Sequence, residues 1–425
     1  MEQPDFQSFL AKEVVPVHFC KLEHVKDVFQ LCIFIHAGSF QEPEGKEGLA
    51  HFFEHIPFRG THKFRNPLDI WKARELIFPI NGMNAFTSRE IICFHGKITK
   101  AKKIEAIDFL KELCFFPIIE EDSINEERKV IASEFARKYQ TSFDYEITKK
   151  HWKSVYGNHP YARLISPLGN KQSLEMVNQE GLIKFMSNFF NLNNIEIAMI
   201  GDIGLVEAEE VVKLLFRDVN LPKGIITQFL APIKSWPKPK FHKAVISHKD
   251  ELGLKKPQRY STQISAVAGY PKKNNWIESF SLAVFFRFIL FCEARIKLSA
   301  TYGIQSVFYD FCDHGLLEIG THINPKKENT VISAIEKSLL SFAEENEEMK
   351  IFFNQLKERL INNWETEEPT IGSYFERTWN LLQGRGAIES MDNSFLMMKN
   401  LDFYKLSSFI RNDIIPNLSW MIVRP

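Results

Sequence analysis

The chain has 425 residues and a mass of 49.5 kDa, about three times a single-domain length of roughly 150 residues, so we expect two or three domains. Lysine plus arginine and aspartate plus glutamate both number 53, and the resulting net charge of zero argues against a dedicated nucleic-acid-binding protein. Hydrophobic residues make up 44% and charged residues 25% of the chain, which is ordinary globular usage and excludes a disordered chain.

Cysteine usage and targeting signals bear on the cellular compartment. The six cysteines lie far apart and form no Cys-x-x-Cys pair, which favours buried thiols in a reducing compartment. The N-terminus lacks the basic start and apolar stretch of a secretory signal. The longest apolar segment, 280–292, is interrupted by Arg287 and is too short to span a bilayer. We therefore expect a cytoplasmic protein without a membrane helix.

The first half of the chain interleaves strand and helix patterns. Alternating apolar and polar residues predict two neighbouring strands within 13–38. Further along, helices are predicted at 47–58, 66–77, 100–115, 123–150, 182–189 and 205–215, and strands at 90–98 and 195–200. Such interleaving is typical of α+β or α/β domains.

Prolines at 222, 232, 237 and 239 interrupt these patterns and predict a linker at 218–249. Beyond it, a strand at 263–268, a long helix at 277–298 and strands at 305–308 and 316–323 repeat the order of the first half. A Phe-x-x-Asn sequence also precedes the closing strand of each half, at 185–188 and 409–412. The sequence therefore predicts a duplicated architecture, with a first domain at 1–217 and a second, homologous domain at 250–425.

The strongest chemical signal is the sequence His51-Phe52-Phe53-Glu54-His55 in the first predicted helix region. On a helix, residues four apart lie one above the other, so His51 and His55 can both bind one metal ion. Glu54 lies beside them and can take a proton from a metal-bound water. The order His-x-x-Glu-His is an inverted zinc-peptidase signature, although a surface helix could carry the same residues by chance.

A third ligand would make this hypothesis stronger. Glu127 and Glu134 are seven residues apart in a helical segment, so both carboxylates project from one face. Without other information, such a pair most often lies on a solvated helix surface.

With these motifs the chain resembles the insulinase/pitrilysin (M16) family of zinc peptidases, especially its shorter-chain, processing-peptidase-like branch. The matching segments are Ala37-Gly38-Ser39, Gly48 to His55, Phe58-Arg59-Gly60-Thr61, Asn84 to Glu90, Glu127-Arg128 with Glu134, His159-Pro160 and Gly201-Asp202. The resemblance implies an α+β fold of the LuxS and mitochondrial-processing-peptidase type. Its two duplicated domains would each be an α/β sandwich, with helices packed on an antiparallel-rich sheet.

The resemblance also implies residue roles in the first half. His51, His55 and Glu134 would bind one zinc ion per chain, and Glu54 would be the general base. Glu127 would hold a ligand or the catalytic carboxylate in place. The strand formed by Asn84, Ala85, Phe86 and Thr87 would receive the substrate as an added β-strand, with Asn84 contacting the peptide main chain; without the resemblance, an ordinary strand end is about as good a reading.

In the second half, Arg295 and Tyr302 match the pair by which the family grips the substrate and assists the oxyanion. Their spacing alone is nearly uninformative. Two positions in the first half depart from the family pattern. Pro57 can bend or end the helix just after His55, which puts the seating of that ligand in question. His95 is better read as a strand residue than as an extra ligand.

The resulting expectation is a zinc-dependent endopeptidase that hydrolyses flexible peptides or unfolded segments. The resemblance implies a homodimer whose two subunits enclose a chamber and complete each other's sites. The alternatives are a non-catalytic scaffold or partner subunit, and a peptide-capture module without turnover. Glu54 distinguishes them, because capture of a peptide needs no base.

Overall fold

The computed structural model describes residues 4–139, 142–226, 242–247, 261–271, 276–311, 313–385, 388 and 390–424. Most of the predicted linker, 218–249, lies outside these residues, as does Cys312. The bounds of the two domains and of the linker therefore stay predictions.

The first half contains a six-stranded sheet. Its strands are β1 (Gln7–Ala11), β2 (Val15–Lys21), β3 (Val28–Ile35), β4 (Met83–Thr87), β5 (Ile92–Thr99) and β6 (Ile195–Gly201). They lie in the order β1-β2-β6-β3-β5-β4, and all neighbours are antiparallel except the pair β2 and β6. In this register Cys32 lies opposite His95 on one side and Ala198 on the other. Strand β4 is therefore an edge strand.

The helices of the first half pack on this sheet. They are α1 (Leu49–His55), α2 (Pro67–Ile77), α3 (Lys103–Phe115), α4 (Glu121–Lys138), α5 (Ser142–Tyr156), α6 (Lys171–Glu175), α7 (Gln179–Phe189) and α8 (Leu205–Leu215). Helix α3 shows why these segments are helical. Ala106, Phe109, Leu110 and Leu113 recur at spacings of three and four, and all four side chains are buried.

The second half contains a five-stranded sheet. Its strands are β7 (His242–Ser247), β8 (Thr262–Pro271), β9 (Thr301–Asp310), β10 (His314–Ile323) and β11 (Leu418–Arg424). They lie in the order β7-β11-β8-β10-β9, with β7 and β11 parallel and the other pairs antiparallel. The helices are α9 (Trp276–Leu290), α10 (Glu328–Ala343), α11 (Glu347–Thr366), α12 (Ile371–Arg385), α13 (Met391–Lys399) and α14 (Phe403–Phe409).

Five strands of the first sheet recur in the second sheet in the same spatial order. In each sheet a parallel pair, β2 and β6 or β7 and β11, is followed by three antiparallel neighbours, which are β3, β5 and β4 or β8, β10 and β9. The first sheet has the additional strand β1 at its other edge. The predicted α+β fold with two duplicated domains is thereby confirmed.

Two predicted elements differ from the structure. The helix predicted at 123–150 is wrong as a single element, because α4 ends at Lys138 and α5 begins at Ser142. Tyr139 follows α4 with a non-helical backbone, φ −108° and ψ 84°. Apolar spacing continues across this break, and periodicity alone does not detect it. The sequence pattern also missed β1, whose residues are mostly exposed.

The two halves share core contacts. Cys20, Leu22 and Ile200 of the first sheet pack into the apolar core of the second half. In the opposite direction, helix α12 places Trp379 against Phe86 of β4, with ring centroids 5.4 Å apart. Cys20, Cys32, Cys93 and Cys114 are buried free thiols, and Cys292 is half-buried. In the part of the chain that the structure describes, no helix is both long and apolar enough to cross a membrane.

A buried carboxylate on β6 links strand β2 to the residue that follows β3. The Nε2 atoms of His18 and His36 lie 2.8 and 2.9 Å from the two carboxylate oxygens of Glu196. Burial alone would raise the pKa of Glu196, but hydrogen bonds from both imidazoles outweigh burial and hold that pKa below its usual value. Glu196 therefore stabilises the fold as an anion.

We expect Glu196→Gln to lower the free energy of unfolding at pH 7 by about 1.5–3 kcal/mol, since it removes two hydrogen bonds to a charged acceptor. Because the folded pKa of Glu196 is depressed, this contribution is present above the unfolded value of about 4.3 and is lost as the pH falls through the folded pKa. Urea unfolding at a series of pH values measures the difference between wild type and variant. The exposed Glu209→Gln serves as control, and a difference that persists unchanged at pH 3 would contradict the assignment.

Candidate metal centre

Helix α1 begins at a turn that favours glycine, and six of its seven residues are buried. Gly48 precedes it with a φ of +95°, a backbone conformation that favours glycine. The buried carboxylate of Glu42 accepts hydrogen bonds from the N–H groups of Gly48 and Ala50, each at 2.8 Å. Helix α1 packs against β4, α4 and α7. Its start and its rotation about its own axis are therefore both fixed.

This rotation directs two imidazoles toward helix α4. The ring centroids of His51 and His55 lie 4.5 Å apart. Their Nε2 atoms lie 3.7 and 3.8 Å from the same carboxylate oxygen, Oε2 of Glu134. We call these three residues the metal centre. The donor atoms of the metal centre all lie within 4.8 Å of one another, a grouping that could hold a metal ion.

The donor set fits zinc. Two histidines and one glutamate are a known ligand set of catalytic zinc, bound at about 2.0–2.2 Å. Ligands at those distances in a tetrahedron lie about 3.4 Å apart, close to the 3.7 and 3.8 Å observed here. Three protein donors also leave a fourth position of the tetrahedron open, as catalytic zinc sites require.

Glu127 orients His55. Its Oε1 lies 2.7 Å from Nδ1 of His55, and since a carboxylate can only accept, the imidazole donates through Nδ1 and keeps Nε2 free for a metal. Glu127 is buried, and Nη1 of Arg59 lies 3.7 Å from its second oxygen. Nδ1 of His51 has no hydrogen-bond partner among the described residues, so packing alone orients that ring.

Pro57 does not disturb this arrangement. Helix α1 ends at His55, and a 3₁₀ turn follows at Ile56–Arg59 with Pro57 in its first positions. A proline is tolerated there because the first turn of a helix leaves its N–H groups unpaired. The same turn carries Arg59 to Glu127. Sequence spacing does not predict this role for Arg59, because the contact joins residues that are far apart in the chain.

Glu54 lies beside the metal centre. Its Oε2 accepts a hydrogen bond of 2.8 Å from the hydroxyl of Thr87 and lies 3.9 Å from Nε2 of His51. Burial raises the pKa of Glu54, although the charge of His55 and the Thr87 hydrogen bond act against it. Thr87 was expected to contact substrate, and its bond to Glu54 links β4 to the candidate base.

The metal centre holds its imidazoles in different electrostatic surroundings. Burial lowers the pKa of His51 to about 3, with repulsion from His55 and Lys138 adding to the shift. His51 is therefore a neutral imidazole, the form that binds metal ions. Burial also acts to lower the pKa of His55, but the hydrogen bond and charge of Glu127 raise it above its usual value.

The other residues predicted in the first half lie on β4 and on its neighbour β5. Asn84 is exposed on β4, and Ala85 beside it is buried. Phe86 packs against Trp379, and His95 is a residue of β5 that contacts Gln30 at 2.8 Å. Of this group, Asn84 has the side chain most accessible to a bound peptide.

Arg295 and Tyr302 contact each other in the second half of the chain. Arg295 lies in a π-helical segment after α9, donates to the carbonyl of Thr301 at 3.2 Å and stacks over the ring of Tyr302 at 5.2 Å. Tyr302 is 89% exposed on the edge strand β9. None of the hydrogen bonds, ion pairs or ring contacts described for this pair reaches the metal centre.

Comparison with known proteins places this site in a family. Residues 21–166 match the family model for insulinase, peptidase family M16, and residues 177–356 match the model for the peptidase M16 inactive domain. Together the two models span most of the chain. The chain belongs to the M16 family of peptidases. All three residues of the metal centre lie within residues 21–166, the range that the first family model matches.

Several relatives of this M16 protein are named zinc proteases. It is 28% identical over 172 residues to an uncharacterized zinc protease of Bacillus subtilis, covering 40% of each chain. It is 30% identical over 176 residues to an uncharacterized zinc protease of Rickettsia bellii, covering 41% of this chain and 40% of the relative. The match thus spans about two fifths of these relatives' length. Their names support a peptidase function.

Solved structures show the same fold. A protease from Helicobacter pylori superposes with a TM-score of 0.80 at 18% identity and covers 100% of both chains. A peptidase M16 inactive domain from Pseudomonas fluorescens also gives a TM-score of 0.80, at 16% identity, covering 99% of this chain and 98% of its own. At these identities the likeness concerns the fold alone.

The contact between His55 and Glu127 predicts a measurable effect on metal affinity. We expect Glu127→Ala to weaken zinc binding roughly 10- to 100-fold, since loss of the carboxylate frees the ring of His55 to rotate. Competition with a chromogenic chelator measures the affinity. Glu126→Ala is the matched control, because Glu126 is its exposed neighbour and pairs with Arg59. Equal affinities of the two variants would contradict the role of Glu127.

Proposed function

We propose that this M16 protein is a zinc-dependent endopeptidase acting on flexible peptides or unfolded segments. The observation that carries the proposal is the metal centre with the buried carboxylate of Glu54 directly beside it. A zinc ion bound there would supply Lewis-acid chemistry, polarising a peptide carbonyl and lowering the pKa of a coordinated water.

Glu54 is proposed to act as the general base. It lies close to Nε2 of His51 without being one of the three clustered donors, so its carboxylate is free to take a proton. Its raised pKa makes it a stronger base than an exposed glutamate. Thr87 donates to Oε2, which is also the oxygen that lies 3.9 Å from Nε2 of His51, and so holds the carboxylate beside the metal centre.

Strand β4 is proposed to receive the substrate. As an edge strand it has main-chain groups that do not pair within the described sheet, and an extended peptide can pair with such an edge. Asn84 is exposed on this strand, and Thr87 at its end contacts Glu54. A peptide paired with β4 would therefore run toward the catalytic base. This arrangement favours unfolded segments, because most strands of a folded protein are already paired with neighbouring strands.

Arg295 and Tyr302 are proposed to complete the site of a second copy in a homodimer. The hydroxyl-bearing ring of Tyr302 is almost fully exposed, and stacking of Arg295 on this ring keeps both side chains together. Arg295 would bind a peptide carbonyl and Tyr302 would donate to the oxyanion. Two chains arranged in this way would enclose the chamber implied by the family resemblance. The buried free thiols support a reducing, cytoplasmic location.

A non-catalytic scaffold or a peptide-capture module is the alternative. The match of the second half to a domain described as inactive keeps this alternative open. A capture module would need the edge strand but no base. The position of Glu54 favours the enzyme, because burying a carboxylate beside the metal centre costs stability and a capture module has no use for a base there.

The role of Glu54 is tested by Glu54→Gln. We expect this variant to keep its zinc and to lose about 10²–10⁴-fold in kcat for an unstructured peptide, since the amide cannot accept the proton. Metal analysis and a fluorogenic peptide assay measure the two quantities. Glu44→Gln, an exposed glutamate near the start of α1, is the control. Undiminished cleavage by Glu54→Gln would refute the proposed mechanism and favour one that does not use this base.

Construction of the site across subunits is tested by mixing inactive chains. We expect Glu54→Gln and Arg295→Ala to be inactive separately, and their mixture to recover about a quarter of wild-type activity. Random pairing gives half heterodimers, and each heterodimer contains one intact site if sites are built across subunits. Native mass spectrometry confirms the heterodimers. Confirmed heterodimers without activity would contradict the shared site.

A further inference from the structure

A cavity of about 420 Å³ lies between the two halves of the chain. Helix α5 and the end of α4 line it from the first half, and β8, β9 and β10 line it from the second. Much of its wall is aromatic, with side chains of Tyr139, Trp152, Tyr156 and Tyr309. Its charged residues are Arg89, Lys138 and Glu318.

Arg89 is held firmly but carries no ion pair. Its guanidinium stacks over the ring of Trp152 at 4.3 Å, and Nη2 donates to the carbonyl of Ile165 at 3.1 Å. Its Nε is buried without a hydrogen-bond partner in the described parts of the chain. No described carboxylate oxygen lies within 4.0 Å of it. A rigid guanidinium that lines a cavity and has no ion pair among the described residues is a ready site for an anion.

Lys138 is the second cation. It lies on α4 one helical turn after Glu134, and Nζ donates to the hydroxyl of Ser166 at 3.1 Å. The described ion pairs of the chain do not include Lys138, and its side chain is partly exposed. Its ammonium can therefore turn toward a ligand at low cost.

The cavity carries a net positive charge. Glu318 is the one acid among the described residues that line it; burial raises its pKa, and it already accepts a hydrogen bond from Tyr309. The cavity also contains His151, whose pKa burial lowers to about 4, so this imidazole is neutral at pH 7. Among the described lining residues, two cations therefore stand against at most one carboxylate, and the remaining positive charge matches a carboxylate ligand.

Two segments of the chain connect the cavity to the metal centre. Lys138 follows the metal-centre residue Glu134 by four residues on the same helix. Arg89 follows Thr87 by two residues, and Thr87 bonds to Glu54. A substrate side chain or terminus bound in the cavity would therefore be only a few peptide residues away from the peptide bond at the metal centre.

We propose that this cavity binds a carboxylate of the peptide substrate and so determines specificity. The carboxylate belongs either to an aspartate or glutamate side chain or to the free C terminus of the peptide. The aromatic wall would pack on the aliphatic part of the same residue. This inference rests on the proposed peptidase function.

The test compares matched peptides on the zinc-loaded protein. One series places a single glutamate or glutamine at successive positions of an unstructured peptide, and a second series compares free and amidated C termini. We expect kcat/KM to be about tenfold higher for one glutamate peptide, or for the free acid, than for its neutral match, as a charge-assisted hydrogen bond allows. The series that shows the difference identifies the source of the carboxylate.

Variants assign the effect to the cavity. Lys138→Gln should bring the acidic-to-neutral ratio close to one, and Lys138→Glu should favour a lysine-bearing peptide. Arg89→Gln should act like Lys138→Gln; because Arg89 also supports packing, the partly exposed Lys138 decides the question if the Arg89 variant fails to fold. Lys129→Gln, an exposed lysine elsewhere on α4, should keep the wild-type ratio. A wild-type ratio near one, or a ratio unaffected by both Lys138 variants, overturns the inference.

A binding measurement separates this inference from the proposed function. Glu54→Gln protein is titrated with the acidic peptide and its neutral match in a calorimeter. If wild type cleaves no peptide, the peptidase proposal fails, and tighter binding of the acidic peptide still supports the cavity. Equal binding of the two peptides overturns the cavity assignment whether or not wild type cleaves them.

Discussion

The contact between His55 and Glu127 is the interaction on which the candidate site depends. It joins α1, which carries both histidines, to α4, which carries Glu134. His55 and Glu127 are 72 residues apart in the chain, and their hydrogen bond of 2.7 Å sets the distance between the two helices at the site. Because Glu127 and Glu134 are nearly two helical turns apart, fixing one carboxylate on α4 also fixes the direction of the other.

Because the carboxylates around α1 are buried, each of them needs a hydrogen-bond partner. Glu42, Glu54 and Glu127 are all buried carboxylates around α1, and each would destabilise the fold without a partner. Each has one: Glu42 accepts from the first backbone N–H groups of the helix, Glu54 from Thr87, and Glu127 from His55. These three carboxylates are thus satisfied by contacts that also define the geometry of the site, and two of those contacts come from the backbone of α1 and from β4.

Local spacing predicted much of the site, whereas long-range contacts were invisible in the sequence. The spacing of His51, Glu54 and His55 on one helix predicted their convergence, and the seven-residue separation of Glu127 and Glu134 placed both on one helix face. The support given by Arg59 and Thr87 depends on tertiary packing, which periodicity does not report. The same limit explains the error at 123–150, where apolar spacing continues across a backbone break at Tyr139. Helix α1 ends just before Pro57, as expected, but His55 keeps its place because a proline can also lie in the first turn of the next helical segment.

The duplicated fold relates the positions of two groups of candidate site residues, one in each half of the chain. Strands β3 and β4 of the first sheet correspond to β8 and β9 of the second. The connection from β3 to β4 contains α1 with His51 and His55, and the connection from β8 to β9 contains α9 and the π-helical segment with Arg295. Each connection ends at an edge strand, which carries Asn84 in one half and Tyr302 in the other. The same architectural position therefore carries the candidate metal ligands in the first copy and a cationic and a phenolic residue in the second. The proposed homodimer fits this duplication, because an isologous pair of chains has the symmetry needed to bring these two positions together twice.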